Sequence, residues 1–413
     1  MFTVLRFPGL VALACTFNTV QAAPVTYEVH YRAEVHPDTG RIHMELQLSG
    51  EQLPRQLEFG IDPHRHKSFA ATGRIAVTDK LITWEPQAPA SRLSYDFIVN
   101  HERSSGSFDA LLNKDWALFR ADDMVPRVSV TARRKLRSHA TLEFILPPGW
   151  TAATAYPTAA GEQHLLISDP QRHFDRPVGW MLLGKLGKRS EIIAGVQTIV
   201  AAPAGDSARR QDILSFLNWN LPHLAGIFPT LPQRLLVTTA GDPMWRGGLS
   251  GPASLFIHSG RPLVSENRTS TLLHELVHVA MGIRGDEESD WIVEGLAEYY
   301  SIETLRRSGG IGQQRYDEAM RRLGEWARRT PNLFKASSSG ATTARAVMVF
   351  KAADAEIRHL TGGRASLDDV ARALAAQHEE VTLELLQTQA QKVAGQPLKS
   401  LEREALQNMR TER

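Results

Sequence analysis

HELVH at residues 274–278 and WIVEGLAEYY at residues 291–300 are the two stretches from which the architecture of this chain can be worked out. On a helix, His274 and His278 lie four residues apart, so both imidazoles project from one face and can bind a single metal ion. Glu275 lies beside the first histidine, where it can reach a metal-bound water without being a ligand itself. The spacing predicts a metal-dependent hydrolase with Glu275 as its general base.

The residues around HELVH form an apolar segment, 271–281, which predicts a helix. Asn267 or Ser265 is the predicted N-cap, and Gly282 is the predicted end of the helix. The alternative is that the pattern arose by chance in a buried helix. Two histidines and a glutamate in such a helix are costly to desolvate unless a metal ion satisfies them, so the context favours a metal site.

A second helix is predicted from an N-cap at Ser289 or Asp290 to about Arg307. Glu294 lies in its first turns and is the predicted third ligand. Two histidine nitrogens and one carboxylate leave a fourth position open, which is typical of catalytic zinc rather than structural zinc. Glu298 lies one turn later on the same face and is predicted to accept the outer ring N–H of a ligand histidine. The alternative for Glu298 is a solvated helix glutamate.

HELVH with a downstream WIVEG resembles the gluzincin clan of zinc metallopeptidases, and within it most closely the glycyl aminopeptidase family. Supporting segments are GGL at 247–249 ahead of a strand-like 254–258, the segment 228–239, and TGGRASLDDV at 361–370. The likeness covers most of residues 205–395 and, more faintly, the N-terminal half. It implies a thermolysin-like α/β plus helical catalytic domain that binds one Zn²⁺ and hydrolyses a peptide or protein with a zinc-activated water.

Substrate binding is predicted along the strand-like segment 254–258, where an extended peptide would pair by strand addition. The predicted substrate-binding residues are Gly248, Ser254, Phe256 and His258.

The chain departs from the family's pattern in three places. Val349 occupies the position where many gluzincins carry a tyrosine that binds the oxyanion. Removing one such donor typically costs about 2.7–4 kcal/mol of transition-state stabilisation, and His258, Tyr299 and Tyr300 are the alternative donors. Ser250 stands where the aminopeptidases place an acidic residue for the free amine. The C-terminal PDZ domain common in the family is not expected, because the chain ends too soon after the catalytic segment.

These departures favour cleavage within peptides over strict aminopeptidase action. The alternative function is a catalytically weak or inactive zinc-binding module that binds peptides or a partner protein. Val349 favours this alternative, whereas Glu275 favours the enzyme, because a binding module needs no base at that position.

Residues 1–22 are predicted to be a cleaved signal peptide, which implies a secreted or periplasmic protein. The alternative is a buried N-terminal strand or helix. Cys15 is the only cysteine and falls in this segment, but the preceding residues match a lipid-attachment motif poorly. Without it, the mature chain has no thiol chemistry. No other stretch reaches the length of a membrane span.

The predicted fold class is α+β. Residues 23–203 are predicted to form an antiparallel β-sandwich-like domain, because apolar and polar residues alternate in runs such as 25–31 and 41–48. Residues 204–413 are the predicted catalytic domain. A chain of 413 residues is long enough for two domains, and a net charge of +2 gives no argument for nucleic-acid binding. The oligomeric state is not predicted.

Overall fold

The structure is a computed structural model that describes residues 25–158, 164–168, 174–330, 332–377 and 379–408. The predicted signal peptide at residues 1–22 lies outside the described residues. The strands are β1 Val25–His36, β2 Arg41–Ser49, β3 Gln56–Gly60, β4 His66–Ala71, β5 Arg74–Val77, β6 Leu81–Glu85, β7 Ala90–Ile98, β8 His101–Glu102, β9 Phe108–Leu112, β10 Trp116–Arg120, β11 Val128–Thr131, β12 Leu136–Ile145, β13 Thr151–Ala153, β14 Leu165–Ile167, β15 Trp180–Gly184, β16 Leu186–Ile193, β17 Val196–Pro203, β18 Arg234–Ala240, β19 Gly248–Gly251 and β20 Ser254–His258. The helices are α1 Ala121–Met124, α2 Arg210–Ile227, α3 Thr271–Met281, α4 Asp290–Arg307, α5 Gln313–Ala327, α6 Ala341–Thr361, α7 Leu367–Ala375, α8 Leu383–Ala394 and α9 Arg403–Asn408.

Three sheets make up the N-terminal half, with strand orders β14-β12-β1-β2-β7-β4, β11-β3-β6-β5 and β13-β15-β10-β9-β8. Burial alternates along β1 and β2 as the sequence predicts. The expected all-antiparallel arrangement is wrong in one place, because β1 and β12 pair in parallel from Val25–Leu136 to Glu34–Ile145. Side chains alternate in the same way in both kinds of pairing, so the pattern of one strand does not reveal the direction of its partner.

The fourth sheet has the order β16-β17-β18-β20-β19. Its two inner pairs, β17–β18 and β18–β20, are parallel, and its two outer pairs are antiparallel. Residues 192–200 are not one continuous strand. They include the turn of the β16–β17 hairpin, where Ala194 and Gly195 have φ of 49° and 81°. The domain limit at residue 203 stays a prediction. By strand pairing alone, a division would fall before Leu186, because β16 and β17 belong to this sheet.

The helices pack into one core with the face of the fourth sheet formed by alternating residues such as Leu255 and Ile257. The N-terminal sheets bury their own apolar cluster. A third cluster joins the two halves, where Trp180 of β15 packs against Phe256 of β20 with ring centroids 5.5 Å apart. The predicted α+β class, with a β-rich domain ahead of a largely helical region, is confirmed. None of the helices described is both long and apolar enough to cross a membrane.

Candidate metal centre

Helix α3 carries both predicted histidine ligands. It begins later than the sequence suggested: the N-cap is Ser270, not Asn267 or Ser265, and its hydroxyl accepts the Leu273 N–H at 3.3 Å. Gly282 ends the helix as predicted. The late start leaves the two histidines in the middle of a short helix, whose buried residues pack into the helical core.

The structure brings His274, His278 and Glu294 together. The Nε2 atoms of the two histidines are 3.1 Å apart. One Glu294 oxygen lies 3.3 Å from Nε2 of His274, and the other lies 3.3 Å from Nε2 of His278. A tetrahedral ion with bonds of about 2.0–2.1 Å holds its ligand atoms about 3.3 Å apart. The three side chains therefore fit a zinc ion without rearrangement.

Helix α4 supplies the carboxylates of this group. It begins at Asp290 and ends at Arg307, as the sequence predicts. Gly295, next to Glu294, lets α4 approach α6, because a Cβ there would lie 2.4 Å from the Cβ of Ala346. The close packing of α4 on α6 thus fixes the turn that presents Glu294.

Glu298 lies beside the ring of His274 and can fix the orientation of that ring. Its Oε2 accepts the Nδ1–H of His274 at 2.9 Å, which leaves Nε2 of that ring facing the metal group. Burial opposes charge in the Glu294 carboxyl, but hydrogen bonds with His274 and His278 outweigh it and lower its pKa to about 2. The carboxylate is therefore ionised at neutral pH, as a metal ligand must be.

Glu275 lies beside the group, with only 8 % of its surface exposed. Burial raises the pKa of its carboxyl, against the lowering effect of His274, His278 and a hydrogen bond with the Ser250 side chain. A base is helped when its pKa moves towards neutral pH. Gly248 packs against it, because a Cβ there would lie 2.8 Å from the Glu275 Cγ.

The predicted substrate strand 254–258 is wrong for strand addition. Strand β20 pairs with β18 on one side and with β19 on the other, so neither of its backbone edges is open. The terminal strand on this side of the sheet is β19. Both strands are short, and their order in the sheet depends on contacts far away in the sequence.

Three of the four predicted substrate-binding residues are buried and make contacts within the protein instead. Ser254 accepts the Trp180 N–H at 2.7 Å and donates to the Pro252 carbonyl. Phe256 is fully buried between the two halves of the molecule. His258 is 5 % exposed, and its Nδ1 accepts the Gly260 N–H. Gly248 lies on β19, at the open edge.

The pairing of β19 shows which of its backbone groups face that edge. The Gly247 carbonyl accepts the His258 N–H, so these two residues form a hydrogen-bonded pair. Such pairs alternate with open pairs along an antiparallel ladder. Gly248 and Ser250 are opposite Ile257 and Leu255 in the open pairs. Their N–H and C=O groups therefore point away from β20, towards the open edge.

Arg120 is a residue at this edge that sequence reasoning missed. Its Nη1 donates to the Ser250 carbonyl at 3.4 Å, across 130 positions of the chain. Asp122 holds the guanidinium from the other side, at 3.3 Å from Nε and 3.2 Å from Nη2. No local motif surrounds Arg120, so its position depends on how the N-terminal half docks and could not be found from spacing.

The residues considered for binding the oxyanion are all buried. Val349 is 0 % exposed in the helical core, and Tyr299 and Tyr300 belong to the same apolar cluster. A tyrosine at 349 would be forced into a packed core, which typically costs about 1–3 kcal/mol. Replacing Val349 with tyrosine is therefore not a way to add an oxyanion donor.

No family model matches the sequence, and no curated protein matches it. Several solved structures are similar to this chain. An aminopeptidase N family protein from Idiomarina loihiensis has a TM-score of 0.64 at 14 % identity, and the match covers 89 % of this chain and 71 % of that protein's chain.

Two further structures agree with it. A variant of a two-domain M1 zinc metallopeptidase bound to L-arginine has a TM-score of 0.55 at 14 % identity, covering 93 % of this chain and 94 % of its own. Legionella pneumophila aminopeptidase A in complex with aspartic acid has a TM-score of 0.54 at 13 % identity, covering 92 % and 48 %. At these identities the likeness concerns the fold alone: a β-rich domain is followed by a helical region, an arrangement similar to that of the two-domain M1 zinc metallopeptidase.

Proposed function

We propose that this protein is a zinc-dependent peptidase that cleaves within extended peptides. The observation that carries the proposal is the combination of a His-His-Glu group with zinc-like spacing and a buried carboxylate, Glu275, between that group and an open strand edge. The M1 fold supports the reaction class, because the structures it resembles include zinc metallopeptidases. The finer likeness to the glycyl aminopeptidase family is part of the same proposal.

His274, His278 and Glu294 would hold the zinc. When bound, zinc supplies a Lewis acid that polarises the scissile carbonyl and lowers the pKa of a water molecule. Glu275 accepts a proton from the attacking water as the new C–O bond forms, and it returns that proton to the amine nitrogen as the C–N bond breaks. Glu298 keeps His274 in the tautomer that leaves Nε2 available to the metal.

Strand β19 would bind the substrate backbone. The outward N–H and C=O groups of Gly248 and the N–H of Ser250 can pair with an extended peptide, which becomes an added strand, while the Ser250 carbonyl accepts from Arg120. Because Gly248 packs on the Glu275 side chain, a peptide on this edge passes close to the base. Binding energy then comes from the peptide backbone, which every peptide shares, and from side-chain pockets.

Arg120 bears on the choice between internal and terminal cleavage. Ser250 offers no carboxylate to a free α-amine, and the guanidinium of Arg120 lies against its carbonyl. The guanidinium is paired with Asp122, and its N–H groups are donors that offer no acceptor to an ammonium group. We therefore infer that a blocked or internal segment binds better than a free N-terminus.

A zinc-retaining module that binds peptides without cleaving them is the second candidate. It is favoured by Val349, because a valine side chain cannot donate a hydrogen bond to the oxyanion as a tyrosine would, and this side chain is buried.

Localisation outside the cytoplasm is likewise proposed, on the sequence of residues 1–22 alone.

A peptide-library digest tests the proposal. The wild-type protein should cut internal bonds, lose that activity to a zinc chelator and regain it on adding Zn²⁺. Products trimmed one residue at a time from the N-terminus would instead show an aminopeptidase. Zinc-dependent binding of peptides without any product would support the second candidate.

A further inference from the structure

A second His-His-Glu group lies in the N-terminal half, far along the chain from α3. Within the described residues, two clusters of at least three histidine, cysteine, aspartate or glutamate side chains have ligand atoms within 4.8 Å of one another. One is the centre on α3 and α4. The other consists of His30, Glu143 and His164, which no part of the proposed reaction uses.

The strand pairing explains why these side chains meet. His30 is on β1, Glu143 is on the parallel neighbour β12, and His164 directly precedes β14, which pairs with the other side of β12. His30 is opposite Thr141, so Glu143 lies two residues further along the same face. Two adjacent strands and the residue directly before a third therefore contribute the three side chains of the group.

The geometry resembles that of the centre on α3 and α4. Nε2 of His30 lies 3.6 Å from a Glu143 oxygen, close to the separation of about 3.3 Å between ligands of tetrahedral zinc. The His30 and His164 rings are 5.1 Å apart at 61°, and those of His274 and His278 are 4.8 Å apart at 74°.

The Thr141 hydroxyl orients His30. It lies 2.9 Å from Nδ1, where it can accept that N–H, so Nε2 is the nitrogen that faces Glu143. Glu298 orients His274 in the same way. Arg32 lies directly opposite Glu143 on the neighbouring strand, but its guanidinium pairs with the Glu34 carboxylate at 3.5 Å. His30 and Glu143 are also 28 % and 29 % exposed, so an ion can enter from solvent.

We propose that His30, Glu143 and His164 form a second metal site, for zinc or another divalent first-row transition metal. Two imidazoles and one carboxylate suit such ions better than calcium or magnesium. Because the ligands come from β1, from β12 and from the residue directly before β14, the ion would tie the start of β14 and β12 to β1. Its role is structural, and it is separate from peptide hydrolysis.

Counting zinc per chain in the full-length protein tests this. After dialysis against a weak chelator, the wild type should hold two equivalents, and His164→Ala should hold one while hydrolysing peptides at the wild-type rate. Glu143→Gln is a second variant that changes the ligand with little change of shape. Both should lose the rise in Tm that added Zn²⁺ gives the wild type. His278→Ala should also hold one equivalent, this time without hydrolysis.

The matched control is His139→Ala. His139 and Glu28 form a close pair on the same sheet, with Nδ1 and Oε2 2.7 Å apart, but among the residues that the structure describes they belong to no three-ligand group. This variant should keep two equivalents. One equivalent in the wild type, lost entirely in His278→Ala, would overturn the second site and leave the first intact. Two equivalents in folded His164→Ala and Glu143→Gln would overturn it as well.

Discussion

Strands β19 and β20 are neighbours in one sheet, are joined by a tight turn and are both close to α3, yet they serve different purposes. Strand β20 has a partner on each side, and its residues contact the rest of the protein: Ser254 binds Trp180, and Phe256 fills the interface between the two halves. Strand β19 has one partner and one open edge, and Glu275 packs on the face of this strand at Gly248. A strand can bind a substrate backbone only while one of its edges is unpaired.

Among the substitutions that separate the two strands, Gly248→Ala on the open strand should have the largest effect. The new Cβ would lie 2.7–2.8 Å from the side chains of Ile257, Thr271 and Glu275. Displacing a catalytic base by a fraction of an ångström to 1 Å costs on the order of 10²-fold in rate. We expect kcat/KM to fall by that order while zinc content stays unchanged. Wild-type kinetics would show that β19 is not next to the working base.

An intermediate effect is expected from Arg120→Gln, which keeps a donor for the Ser250 carbonyl but removes the charge. The ratio of kcat/KM for an N-acetylated peptide to that for its free-amine twin should fall roughly fivefold, since an exposed charge interaction contributes up to about 1 kcal/mol. Arg189→Gln is the control, because Arg189 is exposed on β16 at the other edge of the same sheet. If the ratio stays at the wild-type value in both variants, Arg120 does not influence the choice between blocked and free N-termini.

The smallest effect on rate is expected from Ser254→Ala on the paired strand. The change leaves the buried Trp180 N–H without its acceptor, which should destabilise the protein by about 1–3 kcal/mol. Below the unfolding transition, kcat/KM should stay near the wild-type value. Thermal unfolding and kinetics on the same sample separate the two quantities. A large loss of kcat/KM at full folding would mean that β20 contacts the substrate after all.

The contrast between these strands also marks what the sequence reveals. His274, His278, Glu294 and Glu298 could be predicted because one helical period fixes the spacing within each helix. The capping box that Ser366 forms with Asp369 at the start of α7 depends on local spacing in the same way.

Pairing between distant segments could not be predicted. Local hydrophobic alternation does not indicate that β1 pairs with β12 in parallel, and it does not indicate that β20 lies inside the sheet. Arg120 reaches Ser250 from 130 positions away for the same reason. The His-His-Glu group was thus found from the sequence, and the strand edge proposed to bind the peptide was not.

Glu275 should act as a base beside a zinc ion rather than as one of its ligands. The most direct test of this role compares Glu275→Gln with Glu294→Gln for zinc content and for hydrolysis of one peptide. Glu275→Gln should keep its zinc and lose about 10²- to 10⁴-fold in rate, because an amide cannot accept the proton. Glu294→Gln should bind zinc more weakly. Hydrolysis by Glu275→Gln at the wild-type rate, with zinc in place, would contradict the account.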